Sequence, residues 1–162
     1  MVQPPDDLRP LRTIIPAGAV AGTLDITAAI VIWALRGVRP IRILQSVASG
    51  LLGRAAFTGG FRTAALGLLL HFCIATTWAA IYYVASRKFR VLVERPLVFG
   101  PLYGVFVYAI MYYLVLPLSA FPGRPQALPM ALLMVAVHIA CIGTPIALMV
   151  RRGAAISAPP AP

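Results

Sequence analysis

Acidic residues are nearly absent: Asp6, Asp7, Asp25 and Glu94 are the four carboxylates in 162 residues, and charged residues of both signs make up 11%. A soluble surface needs about a quarter charged residues, so this composition excludes an ordinary soluble domain. Cysteine is as scarce. Cys73 and Cys141 lie far apart without CxxC spacing, which excludes a disulfide framework and a thiolate metal site and predicts two small packing residues. His71 and His138 are the only histidines, too few to specify a metal by themselves. Enzymatic signatures are also missing: there is no GxSxG, HExxH, Walker sequence or dinucleotide fingerprint, and a lone intramembrane acid lacks the second carboxylate of an acid/base pair. The expectation is a non-enzymatic protein without a cofactor.

What is abundant is apolar surface: 60% hydrophobic residues and a mean hydropathy of +0.90. Hydrocarbon about 30 Å thick is crossed by about 20 helical residues, and four uncharged runs have that length, at 13–35, 64–85, 97–119 and 128–150. Arginine or lysine brackets nearly every end, as cations that snorkel to headgroups do. The net charge of +10 is therefore mostly boundary marking, and its scatter over span ends argues against nucleic acid as a partner. The expected partner is the lipid bilayer. The first run exceeds a signal-peptide core in length and is expected to remain as an anchor.

Between the spans the chain has no room for a soluble domain. Residues 1–12 and 153–162 are polar or proline-rich and are expected to be flexible, leaving one transmembrane domain at 13–152. In the longest connection Ile41, Leu44, Ala48, Leu51 and Ala55 recur at helical spacing, with Arg42, Gln45, Ser49 and Arg54 largely elsewhere on the wheel. This predicts an amphipathic interfacial helix over 41–57, broken by the Thr-Gly-Gly at 58–60. Lysine and arginine counts favour cytoplasmic termini, eight against six, although five arginines sit on the first connection. Tyr82, Tyr83, Phe99, Tyr103 and Trp33 fall near span ends and read as aromatic belts.

Asp25 alone among the acids lies within a span, where a central aspartate costs about 2.5 to 3.5 kcal/mol and is expected to face other helices or water. Gly18 and Gly22 stand seven and three residues before it on the same face, a small-xxx-small seam that lets another backbone approach. The second span offers Gly67, His71, Ala75 and Ala79 at spacings of four, and the third Gly100, Gly104, Tyr108 and Tyr112. In the fourth, Met134, His138 and Cys141 or Ile142 share a face that leads to Pro145, which is expected to kink the helix. At 1.5 Å per residue Asp25, His71, Tyr108 and His138 all fall about 10 to 15 Å deep or near the midplane, so they can meet as a buried polar centre. Asp25 is then either a neutral acid bonded to an imidazole or a carboxylate paired with imidazolium.

The stretches RILQSVASGLLGRAAFTGG, ALGLLLHFCIA and YGVFVYAIMYYLVLPLSA resemble those of a family of uncharacterised bacterial four-helix inner-membrane proteins. The chain is also distantly similar to the YagU-type family in its LH in span two, YG in span three and histidine in span four. The resemblance implies a multi-pass helical bundle in the bacterial inner membrane and no particular activity. The expected fold is thus all-α and polytopic, four transmembrane helices with an interfacial helix between the first two. The expected function is a small membrane component with a buried polar centre, self-associating or serving a larger complex. Two alternatives are proton- or cation-coupled transport through Asp25, and a b-type haem carrier using His71 and His138.

Overall fold

A computed structural model describes residues 9–123 and 126–156. The remaining residues, which include most of both termini and Arg124 of the third connection, lie outside the described part. The elements are helices: α1 (Arg9–Ala34), α2 (Pro40–Leu52), α3 (Gly60–Lys88), α4 (Val91–Glu94), α5 (Pro96–Ile110), α6 (Leu116–Leu118), α7 (Leu128–Val137) and α8 (Thr144–Ile156). A 3-10 segment, Gly53–Thr58, follows α2, and π-helical turns at Met111–Val115 and His138–Gly143 join α5 to α6 and α7 to α8. Four stretches, Pro10–Ala34, Gly60–Lys88, Pro96–Leu118 and Leu128–Ala154, are long and apolar enough to cross a membrane. The fold is an all-α bundle of four such helices.

The helices outrun the apolar runs at several ends. Arg12 lies within α1, and Arg62, Arg87 and Lys88 lie within α3, because a cation ends the lipid-matched run without ending the backbone ladder. Residues 9–12 and 153–156, expected to be flexible, are helical. The two π turns have a shared cause in the sequence. Pro117 and Pro145 each lack an N–H for the carbonyl four residues back, Tyr113 and Cys141, and each ring would strike it. Widening the preceding turn relieves that clash, so the bend expected at Pro145 takes the form of a π turn.

The four spans form an arc in the order α3, α1, fourth span, third span. α1 is central, packed on α3 on one side and on α8 with its preceding π turn on the other. Glycine permits both close approaches along the arc. A Cβ at Gly18 would come within 2.6 Å of Thr76 Cα, and one at Gly22 would meet the Phe72 ring. Between the third and fourth spans, Gly100 and Gly104 face the Thr144 and Ile139 backbones, while a Cβ at Gly143 would collide with the Gly100 carbonyl. These glycine faces are thus occupied by helices of the same chain. α3 and the third span close the arc mainly through aromatic side chains: Tyr103 Oη donates to the Trp78 carbonyl at 2.7 Å, and the Trp78 ring meets Tyr103 and Phe106 edge-on.

Several sequence expectations change here. α2 does not float on an apolar face formed by Leu51 and Ala55, both of which are exposed; it packs on α3 through Ile43, Gln45, Ala48 and Ser49. Gly67 makes this contact possible, since any Cβ there would strike the Leu44 carbonyl. The polar residues can be buried because local acceptors take their protons: Gln45 Nε2 donates to the Gly60 carbonyl at 3.0 Å and Ser49 Oγ to the Ser46 carbonyl at 2.7 Å. The α-helix ends at Leu52, where Gly53 takes a φ of +55°, and the rest of the expected helix is the 3-10 segment Gly53–Thr58. Tyr82 and Tyr103 are not belt residues. Tyr82 is 1% exposed, donates to the Leu92 carbonyl at 3.0 Å and stacks edge-on with Tyr103 inside the bundle. Cys73 points outward rather than into the packing, and Cys141 is half-buried.

Candidate functional site

The bend of the arc holds a half-open cavity of about 280 Å³, lined by residues of all four spans and of α2. α1 contributes Asp25, α3 His71 and Trp78, the third span Val107 and Met111, and the fourth span His138 and Ile142. Both π turns lie on its wall, through Met111 and Val115 on one and His138 and Ile142 on the other. Irregular helix at this depth is tolerated where it borders protein or a cavity. At one end Ser46, Val47 and Gly50 of α2 form a floor with Ser119 and Phe121. The floor is pinned to the third connection by the Ala120 N–H, which donates to the Gly50 carbonyl at 2.9 Å. So α2 is a cavity wall, and the Trp78–Tyr103 contact marks the other end.

Three of the four residues expected to form a polar centre line this space: Asp25, His71 and His138. They do not bond to one another. His71 Nε2 donates to the Gly22 carbonyl at 2.8 Å, a contact between α3 and α1, and His138 Nδ1 donates to the Met134 carbonyl at 2.9 Å. A carbonyl can only accept, so each imidazole carries its proton on that nitrogen and, when neutral, keeps only a lone pair. The acid-imidazole bond expected from the depths is therefore replaced by histidine-backbone bonds, which satisfy each ring locally. Among the described residues, Asp25 has neither a hydrogen-bond partner nor an ion pair, and it is half-buried on the cavity wall.

Tyr108, the fourth expected member, stands beside the cavity. It is 7% exposed, meets the His138 ring edge-on at 5.4 Å and stacks on Tyr112. Its hydroxyl has no partner among the described residues. The serines on the floor were not singled out by sequence. Ser46 Oγ donates to the Ile43 carbonyl at 2.7 Å, and Ser119 Oγ, just past the end of α6, donates to the Leu116 carbonyl at 2.8 Å, so each serine gives its proton to a backbone carbonyl three residues back. Helical wheels could not have found them, because only the folding of α2 against α3 brings Ser46 under the spans.

Among the described residues no group of three His, Cys, Asp or Glu side chains converges to hold a metal ion. For a haem held by two imidazoles the fit is uneven. His138, with Nδ1–H on a carbonyl and Nε2 free, has the orientation of a metal-ligating histidine. His71 has the reverse arrangement, with Nε2 used on Gly22. Comparison with protein-family models, with curated proteins and with solved structures finds no match.

Proposed function

We propose that this chain is a small, non-enzymatic carrier of the bacterial inner membrane, with both termini cytoplasmic, that binds a proton or small cation at Asp25. The observation that carries this reading is the contrast between Asp25 and its neighbours. The imidazoles and serines of the cavity are tied to main-chain carbonyls, whereas the carboxylate of Asp25 faces the cavity with no partner among the described residues. A carboxylate that joined helices would be bonded to one of them. One left open inside a span is expensive and serves something that comes and goes.

A purely structural component is the second reading, favoured by the His71–Gly22 bond. It accounts for His71 and for the glycine contacts and leaves Asp25 without a role. The glycine seam from which self-association was expected is filled by α3 of the same chain.

The test is flux in reconstituted vesicles. An imposed pH gradient should discharge through the wild-type protein, and Asp25→Asn should slow that discharge at least about tenfold without lowering the unfolding temperature. Discharge at the wild-type rate in Asp25→Asn removes Asp25 from the mechanism and this reading with it.

A further inference from the structure

The cavity offers acceptors in excess. His71, His138, Ser46 and Ser119 all line it, and each directs its proton to a backbone carbonyl: Gly22, Met134, Ile43 and Leu116. What these groups can still present to a ligand is lone pairs, and Asp25 adds an acceptor of full negative charge. Among the described residues no lysine or arginine lines the space. Among the described residues, the lining side-chain donor without an acceptor is the Trp78 indole N–H, on a ring that also presents a π face. Most of the remaining wall is apolar, with Ile74, Val107, Met111 and Ile142 among it. The volume of about 280 Å³ sits at the lower edge of small-molecule sites, roughly 300 to 1,000 Å³.

We propose that the cavity binds a small primary organic ammonium with an apolar body, its N–H donors directed to Asp25 and to the histidine lone pairs. This rests on the carrier reading above and names its substrate class. Charge selects a cation, the excess of acceptors selects one that carries N–H donors, and the apolar wall with Trp78 selects an organic body over a bare ion. A hydrated metal ion has no use for that wall, and a quaternary ammonium leaves the lone pairs unanswered. The Asp25 carboxylate supplies the counter-charge for the ammonium. The other titratable groups at the cavity are His71 on α3 and His138 on the fourth span, with Tyr108 of the third span against the His138 ring.

Calorimetry on the purified full chain in detergent tests this with three probes: phenethylammonium, its trimethylammonium analogue and sodium. Phenethylammonium is expected to bind one to one, and the trimethyl analogue at least about tenfold more weakly, the factor that one charge-assisted hydrogen bond represents. Asp25→Asn should weaken the primary ammonium by at least about as much, and because Asp25 has no hydrogen-bond partner among the described residues this variant should unfold at the wild-type temperature. Val47→Phe, which narrows the floor without touching a polar group, should weaken it too. Equal affinity for the trimethyl analogue overturns the proposal, as does binding of phenethylammonium that Asp25→Asn leaves unchanged. Absence of ammonium binding alongside Asp25-dependent proton or sodium flux overturns the substrate class while leaving the carrier reading standing. Absence of both removes the two together.

Discussion

His71 Nε2 lies 2.8 Å from the Gly22 carbonyl, so an imidazole in the second span is bonded to the backbone of the first, 49 residues away in the chain. The contact falls beside Phe72 and Ala75, where Gly22 lets α1 and α3 close up. Hydrogen bonds between helices in membranes average about 0.6 kcal/mol and reach about 1.7 kcal/mol. His71→Leu should therefore lower stability in detergent by an amount in that range, read as a shift in a denaturant midpoint. A change under about 0.2 kcal/mol would show that the bond does not hold the two helices.

The glycine contacts differ in what surrounds them, and their substitutions should differ accordingly. A Cβ at Gly104 would meet the His138 carbonyl and Ile139 Cα at 2.6 Å, backbone that cannot step aside, whereas at Gly22 the nearest atoms belong to the Phe72 ring. Gly104→Ala is expected to cost about 1 to 3 kcal/mol or more, and Gly22→Ala distinctly less, in paired thermal unfolding measurements. The reverse order would mean that the third and fourth spans are not in backbone contact.

Gly53 ends α2 with a φ of +55° and a ψ of −141°, a conformation that suits glycine almost alone. Gly53→Ala should destabilise the chain by about 1 to 3 kcal/mol. Because α2 forms the cavity floor, the same variant should also reduce the flux expected of the wild-type protein. Unaltered stability and flux together would place α2 away from the cavity.

Cys73 is exposed on the outer face of α3 and Cys141 is half-buried in the π turn of the fourth span. A lipid-soluble maleimide added to the protein in bilayers should label Cys73 several-fold faster than Cys141, as followed by mass spectrometry of Cys73→Ser and Cys141→Ser variants. Faster labelling of Cys141 would contradict the order of helices in the arc.

Much of the architecture is legible in the residues taken one segment at a time. The four apolar runs correspond to the four long helices, and Pro117 and Pro145 stand where the two π turns need them, although only the second was read as a bend. Gly18, Gly22, Gly67, Gly100, Gly104 and Gly143 lie at close contacts with a neighbouring element. Less was legible in α2, where Gln45 and Ser49 read as a solvated face and are buried. Helical periodicity sees the polarity of a side chain and not the carbonyl that satisfies it. The same limit hid the tyrosines: Tyr82 and Tyr103 carry a hydroxyl near a span end, as belt residues do, yet bond to the Leu92 and Trp78 carbonyls inside the bundle.

By itself the sequence determined the environment and the secondary structure, because hydrocarbon leaves a chain of this composition little choice but uninterrupted helices of membrane length. It also determined that Asp25, His71 and His138 lie at comparable depth, since depth follows from position along a helix. Tertiary structure decided what that depth is used for. The nearest acceptor for each imidazole proton is a backbone carbonyl rather than Asp25, so the three groups share a cavity instead of a bond. Which acceptor is nearest depends on how helices rotate and approach, through contacts such as Gly22 against Phe72, and no single helix contains that information.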